Sequence, residues 1–267
     1  MRITVRHETR YDYDSELSYA VQRLCLTPAS FESQKVSSWR ISAPGIESAL
    51  NYLDGFGNRI HLITYGASDS PISIVAEGTV DVTDSAGIIR RLPSAVPDAV
   101  FLRQTGATMP NEPMAAMAQD VPATSPLDRM HALMAEIHRH VEYEIGATHA
   151  HTTGAEAFVE GKGVCQDHAH IMIGLARYWG IPARYVTGYL VTGDDTSSTA
   201  AHAWAEVLIP NLGWVGFDAA NCKCPTDHYV RVASGIDAGA VTPVRGSRRG
   251  GTGERMKVEV RVEIAQQ

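Results

Sequence analysis

Six of the 13 prolines, Pro93, Pro97, Pro110, Pro113, Pro122 and Pro126, crowd into one stretch that also carries Gly106 and Asn111. A prolyl nitrogen has no hydrogen to donate and its ring fixes φ, so neither a long helix nor a central strand can run through such a stretch. The chain of 267 residues is thereby divided into a region 1–100, a Pro-rich linker 101–126 and a region 127–267. Both outer regions have the size of ordinary domains. A short helix around Met114 to Ala118 is the one element expected inside the linker.

Before the prolines the hydrophobic pattern has a period of two. Ile3, Val5, His7, Thr9, Tyr11 and Tyr13 fall on one face, and Arg2, Arg6, Glu8, Arg10 and Asp12 on the other, which is the signature of a half-buried strand. Further strands are expected at Val36–Ile41, Ile60–Tyr65 and Ile72–Val82, with turn chemistry in Asp54-Gly55-Phe56-Gly57-Asn58. The first hundred residues therefore read as a β-sandwich.

After the prolines the period changes. Ser125 can cap a helix with Pro126 at its first position, and Leu127, Met130, Leu133, Met134, Ile137 and Val141 form its apolar stripe. A second helix is expected from Cys165 to Trp179, where Ala169, Met172, Ile173 and Ala176 recur at helical spacing before Gly180-Ile181-Pro182 stops it. Strands follow at Ala183–Val191, Ala201–Ile209, Trp214–Asp218 and Met256–Ile264. The class is α+β.

Charge narrows the partners. With 23 Lys and Arg against 30 Asp and Glu, 23 minus 30 gives a formal −7, and the basic clusters are too short to track a phosphate backbone, so no nucleic acid is expected. No apolar run approaches the ~20 residues that a membrane helix requires. Met1-Arg2-Ile3-Thr4 leads into strand alternation rather than a signal peptide, so a cytoplasmic location is expected. The four cysteines, at 25, 165, 222 and 224, form no framework of paired spacings and are expected to be free thiols.

One of them sits where chemistry is possible. Gly163-Val164-Cys165-Gln166-Asp167 places a thiol where a loop turns into a helix, a position that stabilises a thiolate through the helix dipole and the free N–H groups. The plainer alternative is a small buried hydrophobe that happens to start a helix. Downstream, a strand begins at His202 and another ends at Asp218. A thiol nucleophile requires an imidazole to move its proton and a carboxylate to orient that imidazole, and Cys165, His202 and Asp218 are residues of those three types. A symmetric hairpin about Pro210–Gly213 would set Ala205 rather than His202 opposite Asp218, so a bulge or skewed turn is required.

The segments GVCQDHAHIMIGLARYWGIPARYVTGYL and AHAWAEVLIPNLGWVGFD resemble the catalytic core of bacterial transglutaminase-like cysteine proteins. The resemblance extends to HETRYDYDSELSYAVQRLCLTP, to DGFGN and to DHYVRVASGIDAGAVTPVRGSRRGG, and so spans nearly the whole chain. It implies a papain-like core behind an N-terminal β-sandwich. It also implies acyl transfer through a thioester, with Cys165 as nucleophile, His202 as general base and Asp218 as orienter, acting on a peptide or amide without metal or organic cofactor. This chain departs from the family at His168, where an aromatic is common, and at Ala219-Ala220, where Pro-Thr is common. The first departure could alter the pocket and the second could loosen the turn after Asp218.

Tyr143, Gln166 and Trp204 are candidates for a second oxyanion donor or for substrate contact, and His149 for the rim of the cleft. Trp204 and Trp214 could wall the site against water or simply pack a core. Asp167 and Arg184 could pair beneath the site, and the run Arg245, Arg248, Arg249 among glycines reads as an exposed mobile loop. Three other functions remain open: a transglutaminase joining glutamine to amines, an inactive binding protein on the same fold, and a zinc hydrolase using the His149/His151, His168/His170 and Cys222/Cys224 pairs.

Overall fold

The alternation of the first strand carries into burial. Along β1 (Arg2–Asp12), Ile3, Val5, His7, Thr9 and Tyr11 are buried, while the residues between them are exposed or half-buried. The computed structural model describes residues 1–67, 71–93, 96–122, 124–191 and 201–265.

The remaining strands are β2 (Leu17–Thr27), β3 (Gln34–Ser42), β4 (Leu50–Leu53), β5 (Arg59–Tyr65), β6 (Ile72–Val82), β7 (Ile88–Ile89), β8 (Glu142–Tyr143), β9 (Lys162–Gly163), β10 (Ala183–Leu190), β11 (His202–Ile209), β12 (Gly213–Phe217), β13 (Tyr229–Gly235), β14 (Val244–Gly250) and β15 (Arg255–Ile264). The helices are α1 (Glu112–Asp120), α2 (Pro126–His140), α3 (Gly154–Glu160) and α4 (Cys165–Tyr178). None of the described helices is long and apolar enough to cross a membrane.

Two four-stranded sheets, ordered β15-β1-β6-β3 and β14-β2-β5-β4, form the sandwich. Tyr11, Ile72 and Ile74 from one sheet close on Leu17, Leu24 and Ile63 from the other. The sandwich is not made of the first hundred residues alone. β15 runs antiparallel to β1 from Ile3↔Ile264 to Asp12↔Arg255, and β14 pairs with β2, so residues expected in the region 127–267 complete the N-terminal sheets. Alternation identifies a strand but not its partner, which is why the sequence placed Met256–Ile264 with the wrong half. The arginine run is likewise strand, not loop.

The linker is packed rather than free. Phe101 and Met114 are buried in it, and α1 is capped by Asn111, whose Oδ1 accepts from Met114 N at 3.0 Å. Ser125 caps α2 as expected, accepting from Asp128 N at 3.1 Å.

The second half centres on a sheet ordered β13-β10-β11-β12-β7, with α4 packed against β10 and β11. β13 is the edge of this sheet among the described residues, and two side-chain amides from the N-terminal half serve that edge. Gln34 Nε2 donates to Arg231 O and its Oε1 accepts from Arg231 N, both at 2.8 Å. Asn58 does the same for Ser234, at 2.8 and 2.9 Å. Asn58 is held in turn by the expected turn, where Asp54 Oδ1 accepts from Phe56 N and Asn58 N at 2.9 Å each and Gly57 takes φ 84°. Two amides thus imitate a neighbouring strand and dock the sandwich on the sheet.

Candidate functional site

Cys165 opens α4 because the loop before it is tied back onto the helix. The Asp167 carboxylate accepts from Val164 N at 2.8 Å and from the Thr148 hydroxyl at 2.6 Å, and Asp167 is fully buried. Gly163 lies against this carboxylate so closely that an added Cβ would come within 2.9 Å of Asp167 Oδ2. The first-turn N–H of Cys165 has no helical acceptor and remains available to a ligand.

β11 and β12 bring His202 and Asp218 together without a bulge. The hairpin closes at Ile209↔Gly213 around residues 210–212, and the register runs to Ala205↔Phe217. Continued by one step, it sets position 218 across from 204, so Asp218 shares a face with Trp204 and His202 and stands diagonal to the latter. A loop of odd length supplies this parity; the symmetric reading placed Asp218 on the opposite face. Diagonal neighbours lie ~7–8 Å apart at Cα, a gap that these two side chains span together. His202 Nε2 meets Asp218 Oδ2 at 2.7 Å.

That carboxylate is buried and fully engaged. Tyr229 Oη donates to Oδ2 at 2.7 Å, as does Asn221 Nδ2 at 2.7 Å. The turn after it is closed by a two-way backbone bridge between Asp218 and Lys223, so Ala219-Ala220 do not loosen it. Burial pushes the Asp218 carboxyl up, but the hydrogen bond and charge of His202, with Asn221 and Tyr229, outweigh it and hold the group below its ordinary value. Burial pulls the His202 imidazole down, yet hydrogen bonds to Asp218 and Cys165 and the negative charge beside it raise it to about 9. The Cys165 thiol is within hydrogen-bonding reach of that ring and of the Tyr143 phenol, which burial and the neighbouring Cys165 push up to about 12. With Nε2 committed to Asp218, Nδ1 is the nitrogen left to face the sulfur.

Cys165 and His202 border a cleft of about 720 Å³. Gln166 lines it, as do Tyr185, Thr187 and the 3-10 turn Ala238–Val241. Tyr143 stands half-exposed beside the sulfur. Trp204 is not on the wall: it is buried behind the imidazole, 6.2 Å between ring centroids, and meets Tyr229 edge-on. Trp214 packs on Phe101 and under Arg184, away from the cleft. His149 does not line the cleft, whereas His151 does. His168 is buried below, its ring nitrogens 2.9 and 3.1 Å from the carbonyls of Val164 and Val141.

The expected Asp167–Arg184 pair is absent. Arg184 instead joins Arg231 on the buried Glu206, at 2.6 and 2.8 Å: Arg184 stands directly across from Glu206 on β10, and Arg231 reaches it from β13, one strand further out. All four cysteines are free, and no three His, Cys, Asp or Glu side chains gather as metal ligands among the described residues. Asn221 and Tyr229 went unrecognised in the sequence. Asn221 lies three residues past Asp218 and was open to an Asx-type reading; Tyr229 begins a strand, β13, whose partner is remote.

A helix-borne thiol packed on an antiparallel sheet, with imidazole and carboxylate on neighbouring strands, defines the papain-like α+β class of thiol-dependent proteins. Family models agree: one described as the transglutaminase-like superfamily matches residues 115–219, and one described as the bacterial transglutaminase-like N-terminal region matches residues 3–81. The chain belongs to the transglutaminase-like superfamily. It is 28% identical to an uncharacterised protein of Mycobacterium leprae over 97% of this chain and 98% of the relative. An uncharacterised protein of Mycobacterium tuberculosis is 27% identical over 92% and 87%. In fold it is similar to a candidate cysteine protease from Cytophaga hutchinsonii, with a TM-score of 0.75 at 21% identity over 99% of this chain and 98% of that one.

Proposed function

We propose that the protein is a cysteine-dependent amide hydrolase or peptidase that works through a thioester on Cys165. The observation that carries this reading is the line from Asp218 through His202 to Cys165 at the wall of an open cleft. The sulfur stands at the N-terminus of α4 beside an imidazole that Asp218 orients, the setting in which a proton passes between thiol and ring.

The sulfur attacks the substrate carbonyl carbon and the carbonyl electrons move to oxygen. The Cys165 N–H and the Tyr143 hydroxyl are the donors that meet this oxyanion; losing one such donor costs about 3 kcal/mol of transition-state stabilisation. Collapse breaks the C–N bond as His202 Nδ1–H protonates the departing amine, leaving a thioester and a neutral imidazole. Water then gives a proton to Nδ1 as its oxygen attacks the thioester. The carboxylic acid departs, and the thiolate and imidazolium are restored.

The test has two parts. Iodoacetamide at pH 7 should alkylate Cys165 at least about 100-fold faster than Cys25 or Cys224, whose thiols burial pushes up to about 11. Incubation with glutamine-containing peptides, with and without a primary amine, then reads the product by mass. Free acid in both supports hydrolysis; exclusive amine adducts make the protein a transglutaminase. Equal alkylation of all cysteines would leave no activated nucleophile.

A further inference from the structure

β14 carries three arginines, and only one of them borders the cleft that holds Cys165 and His202: Arg245. Arg248 is engaged, its Nε 2.7 Å from Glu254 and its Nη1 2.7 Å from Gly250 O. Arg23, which faces Arg245 across the strand pair, is engaged with Asp54 at 2.9 Å. Arg245 makes no hydrogen bond or ion pair among the described residues, and its side chain is exposed. Its neighbour Val244 packs toward the sandwich interior, and strand alternation turns Arg245 the other way.

The rest of the wall sharpens the contrast. No aspartate or glutamate lines the cleft among the described residues; Ala150, Val164, Ala238 and Val241 supply apolar surface instead. The positive end of α4 opens into it at Cys165. A chain of formal charge −7 thus presents a cleft with a guanidinium that no carboxylate among the described residues neutralises, set in largely apolar walls, an arrangement that concentrates anions.

We infer that Arg245 makes the cleft selective for acyl donors bearing a carboxylate near the reacting carbonyl, that is, for acidic peptides. This rests on the reading of Cys165 as the nucleophile. The carboxylate has two possible sources, an acidic side chain or a chain terminus.

The full chain is treated at pH 7 with paired bromoacetyl peptides, in which the sulfur displaces bromide to form a thioether. One pair is bromoacetyl-Ala-Glu-amide against bromoacetyl-Ala-Gln-amide; the other is bromoacetyl-Ala-Ala as free acid against its amide. Rates at each cysteine are read by peptide mass. In at least one pair the acid should react with Cys165 about fivefold faster, near the upper end for a partly exposed charge pair. The ratio should shrink in 1 M salt, where the screening length is ~3 Å. It should fall to about one in R245Q and persist in R245K and in R249Q. A ratio of one in the wild type, or one that R245Q or salt leaves unchanged, overturns the role of Arg245 while the nucleophile stands. If Cys165 reacts no faster than Cys25 or Cys224 with any probe, the nucleophile and the inference fall together.

Discussion

Tyr229 Oη donates to Asp218 Oδ2 across 2.7 Å, the same oxygen that His202 Nε2 reaches at 2.7 Å. A phenol and an imidazole thus converge on one buried lone-pair region. The carboxylate cannot swing toward the ring without leaving the phenol, so Tyr229 sets the orientation that Asp218 passes to His202. Tyr229→Phe should fold and should lower kcat/KM by about 10-fold, as for loss of other groups that orient a site ligand. Because Tyr229 also lowers the Asp218 carboxyl, its acidic limb of activity should move to higher pH. Superimposable pH profiles for the two proteins would reduce Tyr229 to packing.

The pH dependence of stability has opposite signs at the two partners. His202 rises from 6.5 to about 9 on folding, so the folded state keeps a proton that the unfolded chain releases in that interval. Its contribution, on the order of 3 kcal/mol, is complete below pH 6.5 and lost as pH climbs through 9. Asp218 is lowered instead, so its contribution is present above the ordinary value of 3.8 and lost as pH falls through the folded one. Urea midpoints for wild type and His202→Gln should therefore draw together between pH 6.5 and 9.5. A constant separation would show that the imidazole gains no partner on folding.

Asn58 and Gln34 invite a separate measurement, since each holds both backbone groups of one β13 residue. Asn58→Ala leaves the N–H and C=O of Ser234 buried without those partners, at about 1–3 kcal/mol for each group. The melting temperature should fall by roughly 4–12 °C. Gln34→Ala should behave alike, and the alkylation rate of Cys165 at low temperature should be unchanged in both. A melting point within a degree of wild type would mean that solvent replaces the amides at this edge.

Local chemistry was legible in the residues. The Ser125 cap, the Asp54–Asn58 turn and the placement of Cys165 at the start of α4 depend on contacts a few positions apart. The His202–Asp218 contact was half legible: the strands were evident, but the facing depended on whether the loop at 210–212 held an even or odd number of residues. The sandwich was misjudged where pairing joins the two ends of the chain, as β1 does with β15. Glycines around Arg245 suggest a loop, whereas in β14 a Cβ on Gly246 would meet Val21 O at 2.2 Å, so the glycine there permits close strand approach.

The loop ahead of the nucleophile offers the sharpest test of positioning. A Cβ at Gly163 would sit 2.8 Å from Asp167 Cβ and 2.9 Å from its Oδ2, contacts that real side chains do not tolerate. Gly163→Ala must therefore move Asp167, and with it the carboxylate that holds Val164 N at 2.8 Å and the Thr148 hydroxyl at 2.6 Å. Gly163 also pairs with Tyr143 across β9 and β8, so the displacement reaches the phenol beside the sulfur. A shift of about 1 Å at a nucleophile can lower turnover by about 100-fold, so Gly163→Ala should lose that much in both kcat and Cys165 alkylation. Its circular dichroism and substrate KM should stay near wild type, because the cleft wall at Ala238–Val241 belongs to another element. Undiminished alkylation in Gly163→Ala would mean that the first turn of α4 holds the thiol in place without the Asp167 carboxylate.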